Sequence, residues 1–163
     1  MNTNERHNCK KPYTFFDMYK LDVPQKTEYS ILLDIWESSV RATHHFLQKE
    51  DIEVLKKIIQ EKGVFNHVSL TCARDINNNI LGFMGVSKDS IEMLFIDSRS
   101  IGREIGKILL LHAIKDLNIT KVDVNEQNEQ ALRFYEHFGF KITSRSELDG
   151  TGKPYPILHM QLQ

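Results

Sequence analysis

The stretch that decides the fold is residues 91–125, IEMLFIDSRSIGREIGKILLLHAIKDLNITKVDVN. Its first six residues form an apolar run that is typical of a central strand. A glycine-containing turn follows, and residues 103–117 are apolar on most faces and long enough for a helix. Residues 120–125 then have the pattern of another short strand. A strand–helix–strand unit joins parallel strands, so it predicts a sheet with helices packed on its faces.

The rest of the chain supplies amphipathic helices and hairpin-linked strands around this unit. The predicted segments are a strand at 13–21, helices within 25–47 and 49–63, strands at 67–75 and 80–87, a helix within 125–140, and a closing hairpin of strands at 140–148 and 155–162. The predicted fold is therefore α/β (α+β), with a mixed central sheet of about seven strands and helices on both faces.

Length and composition bound the domain organisation and the partners. The 163 residues predict a single domain at 13–163 after a flexible tail at 1–12. A formal net charge of −1 favours neither nucleic acid nor an anionic membrane surface, and no apolar run approaches the ~20 residues of a membrane span. Cys9 and Cys72 have neither disulfide-framework nor metal-ligand spacing. These features predict a cytoplasmic protein that uses no metal and has no secretion signal.

The turn at residues 97–106 has the features of a phosphate cradle. The first N–H groups of a helix have no intrahelical partner, and the helix dipole adds partial positive charge at the same place. Arg103 and Lys107 would add two cations there. The alternative for Gly106 is close packing of the helix on the sheet, and spacing alone does not decide between the two.

Two longer motifs identify a family. The segment LFIDSRSIGREIGKILLLHAI (94–114), followed by VNEQNEQALRFYEHFGFKITSRSELDGTGKPYPILHM (124–160), resembles motifs A and B of the GCN5-related N-acetyltransferases, the GNAT superfamily. The predicted order of strands and helices matches that fold. About four-fifths of the chain resembles the small bacterial YjaB-type members. The resemblance implies acetyl-coenzyme A as cosubstrate, a splay between the fourth and fifth strands for its pantetheine arm, and acetyl transfer to an amine.

The resemblance also assigns roles around the helix within 125–140. It implies that Asn128 hydrogen-bonds the coenzyme, that Ala131 keeps the helix close to it, and that Tyr135 protonates the departing thiolate. A phenol is protonated at neutral pH and can donate to the sulfur. The alternatives are a helix cap at Asn128 and, at Tyr135, a core residue whose hydroxyl a neighbour satisfies. The predicted coenzyme residues are Phe95, Ile96, Gly102, Arg103, Glu104, Ile105, Gly106, Lys107, Asn128 and Tyr135.

The pyrophosphate turn departs from the family pattern, which is Arg/Gln-x-x-Gly-x-Gly/Ala. Ile101 replaces the basic or amide residue, and Glu104 replaces the central glycine. A side chain at that glycine limits how closely backbone approaches phosphate, and a carboxylate competes with the phosphate for the same N–H groups. We expect coenzyme binding to survive but to be weaker than is usual in the family.

The acceptor side needs a base, because an incoming ammonium must lose a proton before it attacks. The candidates are Glu37, His44, His45 and Glu92. For the histidines the alternative is a capping or surface role. Strand alternation places Glu92 on one face with Leu94 and Ile96, as a base or as the ion-pair partner of a neighbouring cation. The turn at 152–156, GKPYP, would form a lid or an ordinary hairpin loop.

The leading hypothesis is an acetyl-coenzyme A-dependent N-acetyltransferase that works by direct transfer in a ternary complex. The alternative is a non-catalytic GNAT-fold binding module with weakened or lost coenzyme binding, motivated by Ile101 and Glu104. The acceptor would be a small-molecule or peptide amine, and the charge balance argues against nucleic acid. Pairing of the last strand would make a homodimer.

Overall fold

The computed structural model describes residues 18–163, which form one seven-stranded sheet with four α-helices. The predicted tail at 1–12 and most of the predicted first strand lie outside these residues. The predicted order of elements is confirmed. The strands are β1 (Lys20–Asp22), β2 (Ser69–Arg74), β3 (Ile80–Ser87), β4 (Ser90–Ile96), β5 (Lys121–Asn125), β6 (Phe140–Ser146) and β7 (Ile157–Leu162). The helices are α1 (Tyr29–Thr43), α2 (Lys49–Glu61), α3 (Ile105–Lys115) and α4 (Glu129–His137).

The sheet is mixed, as the strand–helix–strand unit predicts. Its strand order is β1-β2-β3-β4-β5-β7-β6. The β4–β5 pair is parallel, and the other neighbouring pairs are antiparallel. The closing hairpin is present, but its second strand, β7, lies between β5 and β6. Helix α3 connects the two parallel strands across one face of the sheet.

Two apolar cores cover the two faces of the sheet. On one face, α3 and α4 pack over strand residues such as Val122, Val124 and Met160. On the other face, α1 and α2 pack over β2, β3 and the second half of β4, with Trp36 and Phe83 among the buried residues. Helix α1 contacts β3 and β4, so it covers the middle of the sheet.

Helix α1 ends earlier than its apolar spacing predicts. It stops at Thr43, and His44 leaves the helical region with φ −104° and ψ 57°. The hydroxyl of Thr43 donates to the carbonyl of Ser39 at 2.7 Å, inside the last turn. His44, His45 and Phe46 therefore lie in the connection between α1 and α2, next to the end of α1.

Candidate active site

The parallel strands β4 and β5 separate soon after they pair. Their pairing consists of Ser90 with Lys121 and Ile91 with Val122. Beyond that point β4 continues to pair with β3 as far as Ile96, and β5 continues to pair with β7 as far as Asn125. A V-shaped gap therefore opens between the two central strands, with its narrow end at residues 91 and 122.

A cleft of about 500 Å³ occupies the open part of this gap. Its lining comes from the end of α1, from β4, from the turn before α3, and from α4. Of the residues predicted to bind the coenzyme, all except Arg103 line the cleft. The guanidinium carbon of Arg103 lies 5.9 Å from the centre of the Tyr19 ring, so this cation is directed at the N-terminal part of the fold.

The turn before α3 keeps the backbone of a glycine-rich loop although it carries a glutamate. Gly102 has φ +84° with no heavy atom within 4 Å of the place where a Cβ would stand. Glu104 also adopts the left-handed conformation, with φ 62° and ψ 12°. The helix begins at Ile105, two residues later than predicted, because Glu104 is not helical. Its carboxylate accepts from Nζ of Lys107 at 3.1 Å. Ile105, Gly106 and Lys107 of the first turn of α3 line the cleft, and the first N–H groups of a helix attract an anion.

Replacing Glu104 with glycine is expected to stabilise the fold and to tighten coenzyme binding. A non-glycine residue in the left-handed region costs about 1–2 kcal/mol, while the lost ion pair with Lys107 is solvent-exposed and worth little. The greater chain entropy of glycine offsets part of the gain, so about 0.5–1 kcal/mol should remain. Urea unfolding and calorimetric titration with acetyl-coenzyme A measure the two effects.

Lys88→Gly is the matched control for Glu104→Gly. Lys88 also has a positive φ, 54°, but it lies in the β3–β4 turn away from the cleft. This change should stabilise the fold without altering coenzyme affinity. Weaker coenzyme binding in Glu104→Gly would show that the carboxylate is used in the site rather than tolerated there.

Asn128 caps α4 and lies beside His44. Its Oδ1 accepts from the backbone N–H of Ala131 at 3.1 Å, so the cap predicted as the alternative is present. Its Nδ2 lies 3.5 Å from Nε2 of His44 and can only donate. His44 then accepts at Nε2 and donates from Nδ1 to the hydroxyl of Thr43, which is 2.8 Å away. The imidazole thus has a defined tautomer and links the end of α1 to the start of α4.

Burial, and to a smaller extent the neighbouring His45, lowers the pKa of His44 from 6.5 to about 4. The imidazole is therefore neutral at pH 7, which makes it a weak base. In the unfolded chain the same imidazole takes up a proton near pH 6.5. The unfolded state therefore binds more protons than the folded state between pH 6.5 and 4. The stability that the neutral imidazole contributes is fully present above pH 6.5 and is lost as the pH falls through this window.

Replacing His44 with glutamine should reduce the acid sensitivity of the fold. The wild-type protein should lose up to about 3 kcal/mol more unfolding free energy than the variant between pH 7 and pH 4. Urea unfolding at pH 7, 5.5 and 4 measures the difference. His45→Gln, at an exposed neighbouring position, should keep most of the wild-type sensitivity. Equal acid sensitivity in His44→Gln and the wild type would contradict a buried neutral imidazole.

Tyr135 has its ring in the core and its hydroxyl at the cleft. The residue is 6% exposed, and its ring packs edge-on against Phe134 and Phe140, with centroids 5.2 and 5.6 Å away. The hydroxyl makes no hydrogen bond to any residue between 18 and 163, and since none of the fully buried side-chain polar atoms there lacks a partner, this hydroxyl has exposed surface, at the cleft that the residue lines. Burial raises the pKa of the phenol above its ordinary value of 10. The hydroxyl is thus a protonated donor without a protein acceptor, facing the cleft.

Two further hydroxyls in the cleft were missed from the sequence. Ser39 of α1 is 6% exposed and Ser100 of the turn is 3% exposed, and both line the cleft. Within the described part of the chain neither hydroxyl has a hydrogen-bond partner. A serine on the apolar stripe of α1, between Trp36 and Val40, is the signal that could have identified Ser39.

Glu92 lies at the narrow end of the gap, exposed and outside the lining of the cleft, where a bulge interrupts the strand alternation that predicts one face for Glu92, Leu94 and Ile96. The β3–β4 register runs from Gly85↔Met93 to Val86↔Ile91, so Glu92 is the extra residue of a bulge. Ile91 rather than Glu92 joins the core under α3, and strand alternation is broken at this point. Over residues 18–163 the carboxylate has no hydrogen bond or ion pair. Partial desolvation and the nearby charge of Asp123 raise its pKa.

Of the four acceptor-side candidates, His44 lines the cleft, and Glu37, His45 and Glu92 do not. Glu37 accepts from Arg41 at 2.8 Å and also contacts Lys56 of α2, which lowers its pKa. It is part of an ion-pair network between α1 and α2 and does not line the cleft. His45 is exposed at the surface.

The GKPYP turn is held against α2. The hydroxyl of Tyr155 and the ammonium of Lys153 both contact the carboxylate of Asp51, at the start of α2. The Tyr155 ring packs on Phe46, with the centroids 6.1 Å apart, and Phe46 packs on His44 at 5.3 Å. The turn therefore adjoins the connection between α1 and α2 that borders the cleft.

The sheet is mixed and seven-stranded, and its central parallel strands separate over a glycine-containing turn and a helix N-terminus. This arrangement defines a GNAT acetyltransferase, and the chain belongs to this family. The family model described as "Acetyltransferase (GNAT) domain" matches residues 37–162. The chain is an acetyl-coenzyme A-dependent N-acetyltransferase.

Particular relatives are similar over most of the chain. The chain is 40% identical over 129 residues to the peptidyl-lysine N-acetyltransferase YjaB of Escherichia coli strain K12, covering 79% of this chain and 86% of the relative. The solution structure of apo-form YjaB from Escherichia coli has a TM-score of 0.80 at 36% identity, covering 88% of this chain and 96% of that chain. The PaiA N-acetyltransferase of Thermoplasma acidophilum, crystallised with coenzyme A, has a TM-score of 0.70 at 19% identity, covering 89% and 98% of the two chains, and supports the fold alone.

Proposed function

We propose that this enzyme acetylates the side-chain amine of lysine in peptides or proteins, by direct transfer from acetyl-coenzyme A in a ternary complex. In this proposal Tyr135 is the general acid and Glu92 is the general base. The single observation that carries it is the gap between β4 and β5. The unpartnered hydroxyl of Tyr135 lies at this gap, and the unpartnered carboxylate of Glu92 lies at its narrow end.

The residues present fit acetyl-coenzyme A. The first turn of α3 offers N–H groups and Lys107 for a pyrophosphate, and Asn128 retains a donor for the pantetheine. The hydroxyls of Ser39 and Ser100 add two more polar groups without protein partners. When bound, the coenzyme supplies an acetyl group already activated as a thioester. The protein's part is to hold it, to exclude water and to move two protons.

Charge and position support a cationic acceptor. Val122 and Val124 point into the core under α3, so Asp123 points to the opposite face, and Glu92 occupies the corresponding position on β4, one residue past the Ile91↔Val122 pair. Two carboxylates thus stand together just beyond the last β4–β5 pair. An ammonium group is attracted there, and Glu92 with its raised pKa suits proton abstraction better than an ordinary carboxylate. The relatives named as peptidyl-lysine N-acetyltransferases favour lysine as the source of that ammonium.

Direct transfer is supported by the state of the cysteine that the structure describes. Cys72 is fully buried in β2 and does not line the cleft. Burial, together with a hydrogen bond to Asp22, raises the pKa of its thiol to about 12. The thiol is therefore protonated and inert at neutral pH, which argues against an acetyl-cysteine step there.

The binding-module alternative rests on Ile101 and Glu104. Both residues line the cleft, but the left-handed backbone of Glu104 preserves the turn that a glycine would make. The substitution therefore changes the side chain at the mouth of the cleft without closing it. The hypothesis that the protein is an enzyme also accounts for the unpartnered Tyr135 hydroxyl, which a binding module does not need.

Acetylation of matched peptides tests the proposal. One peptide carries a single lysine and a blocked N-terminus, the second replaces the lysine with alanine, and the third has alanine and a free N-terminus. With acetyl-coenzyme A we expect mass spectrometry to find one added acetyl group on the first peptide alone. Acetylation of the third peptide and not the first would make the acceptor an N-terminal amine. No acetylation of any peptide at millimolar coenzyme would contradict the proposal.

The proposal extends to location and metal use. A free buried thiol at Cys72 favours a reducing compartment such as the cytoplasm. Between residues 18 and 163, no helix is long and apolar enough to cross a membrane. Over the same residues, no group of three or more His, Cys, Asp or Glu side chains is arranged to hold a metal ion, and a metal-independent reaction remains a prediction. The last strand, β7, already pairs with β5 and β6, so the prediction that this strand makes the dimer contact was wrong, and a homodimer by another surface remains a prediction.

A further inference from the structure

A row of polar side chains crosses four neighbouring strands beside the narrow end of the gap. Asp123 of β5 and His159 of β7 are register partners, and Oδ1 of Asp123 lies 2.7 Å from Nδ1 of His159. Nε2 of His159 lies 2.7 Å from the hydroxyl of Ser146, in β6. On the other side of β5, Glu92 lies one residue past the Ile91↔Val122 pair on β4, as Asp123 does on β5. The row thus runs Glu92, Asp123, His159, Ser146 across β4, β5, β7 and β6.

The side chains of Asp123, His159 and Ser146 belong to the face of the sheet that carries α1. The residues that alternate with them on β5 and β7, namely Val122, Val124 and Met160, are buried in the core under α3 and α4. Glu92 follows the Ile91↔Val122 pair on β4 as Asp123 follows it on β5, and the charge of Asp123 acts on Glu92. A hydrogen-bonded chain therefore runs from Ser146 through His159 to Asp123 and ends near the expected base, Glu92, to which it makes no hydrogen bond.

We propose that His159 is a positioning residue for the acceptor reaction: its hydrogen bond holds the Asp123 carboxylate in place near the expected base, Glu92. The proposal rests on the proposed function, because it takes Glu92 as the base. It adds a residue that lines neither the cleft nor the gap and that acts through a second side chain.

The hydrogen-bond roles follow from the chemistry of the groups. An ionised carboxylate only accepts, so Nδ1 of His159 carries a proton and donates to Asp123. This donor orients the carboxylate and compensates part of its negative charge. The charge of Asp123 is one of the two causes that raise the pKa of Glu92, after desolvation. Removing the donor should leave Asp123 less compensated and should strengthen its effect on Glu92.

The other charged groups near this row are engaged elsewhere. On β5, Lys121 pairs with Asp89 at 2.9 Å. On α1, the helix packed over β4, Glu37 and Arg41 pair with each other and with α2. The residues of β3 beside the bulge, Gly85 and Val86, carry no charge. Lys141 of β6 pairs in register with Gln161, at the far side of β7.

A surface His–carboxylate pair with no role in the reaction would look similar, and the chain contains one for comparison. Nδ1 of His112 lies 2.7 Å from Oδ2 of Asp116 on α3. That pair has the same donor, acceptor and distance, but it does not line the cleft. His112→Ala is therefore the matched control for His159→Ala.

The test is a ¹³C NMR titration of the Glu92 side-chain carboxyl, with folded variants confirmed by their amide spectra. Compared with the wild type, Asp123→Asn should move the Glu92 midpoint to lower pH and His159→Ala should move it to higher pH. In the Asp123→Asn background, His159→Ala should have no further effect. His112→Ala should leave the midpoint unchanged. An unchanged midpoint in His159→Ala, or an equal shift in the Asp123→Asn background, would overturn the proposal.

A pH profile of kcat/KM separates this proposal from the proposed function. If both hold, the acid limb of the profile moves in the same direction as the NMR midpoint in each variant. If the NMR midpoints move as expected but the acid limb does not, Glu92 is not the base. His159 then has no role in the reaction either. If Glu92→Gln abolishes turnover while His159→Ala moves neither readout, Glu92 stands as the base and His159 is a surface residue.

Discussion

Replacing Tyr135 with phenylalanine should lower kcat and kcat/KM together by about 10²–10⁴-fold, the range of a general-acid contribution. The change deletes a hydroxyl that has no hydrogen-bond partner among the described residues and keeps the ring that packs on Phe134 and Phe140. Stability should therefore change little, since no protein hydrogen bond is lost. Coenzyme affinity should also change little, because protonation of the thiolate occurs only in the transition state.

Steady-state kinetics with an active acceptor, calorimetric titration with acetyl-coenzyme A and thermal unfolding check these three parts. Tyr29→Phe is the matched control. Tyr29 is also a tyrosine packed edge-on against an aromatic ring, that of Phe65, but it lies at the start of α1 and away from the cleft. Near-wild-type turnover in a folded Tyr135→Phe protein would show that the hydroxyl has no catalytic role and that water protonates the thiolate.

Replacing Glu92 with glutamine should lower kcat/KM by about 10²–10⁴-fold at neutral pH, because the amide cannot accept the proton of the acceptor ammonium. The active form of Glu92 is the ionised carboxylate, and its pKa is raised by desolvation and by Asp123. Activity in the wild type should therefore fall, as the pH drops, at a higher pH than an ordinary glutamate would give. The residual activity of Glu92→Gln should lack this acid limb.

Rate measurements from pH 5 to pH 9 on both proteins test this expectation. Glu61→Gln, a change at an exposed glutamate of α2, should keep the wild-type rate and profile. If Glu92→Gln keeps the wild-type rate and the same acid limb, another group or a water chain takes the proton of the acceptor instead of Glu92.

Much of the fold follows from patterns that are local in sequence. The apolar run at 91–96, the turn and the helix after it specify two parallel strands, because no short connection can join strands in that way. The stripe of Ala131, Tyr135 and Phe138 on α4 predicts the buried ring of Tyr135 for the same local reason. The order of strands and helices could therefore be predicted from the sequence.

The details of the site depend on contacts between residues far apart in the chain. Strand alternation predicts one face for Glu92, Leu94 and Ile96, but a bulge at Glu92 interrupts the alternation, and it arises from the register with β3, which the sequence of β4 alone does not specify. The substitution at Glu104 was visible, whereas the left-handed backbone that it keeps was not. The pair of Asp123 and His159 joins residues 36 positions apart and needs the insertion of β7 beside β5.

Side-chain direction was equally hidden from the sequence. Arg103 and Lys107 were predicted to supply cations to a phosphate. In the structure Lys107 lines the cleft and pairs with Glu104, while Arg103 lies over the Tyr19 ring. The direction of the Arg103 side chain depends on its neighbours in the N-terminal part of the fold. A cation over an aromatic ring is a favourable contact.

The central claim is that acetyl-coenzyme A binds in the gap between β4 and β5 with its pyrophosphate at the start of α3. Amide NMR during titration with acetyl-coenzyme A tests it most directly. We predict that the largest shift changes fall within residues 101–107 and 125–135, the turn before α3 and the start of α4, and that the far edge at β1 and β2 is unaffected. A spectrum that does not respond at millimolar coenzyme, or shift changes centred outside the two segments, would contradict the claim.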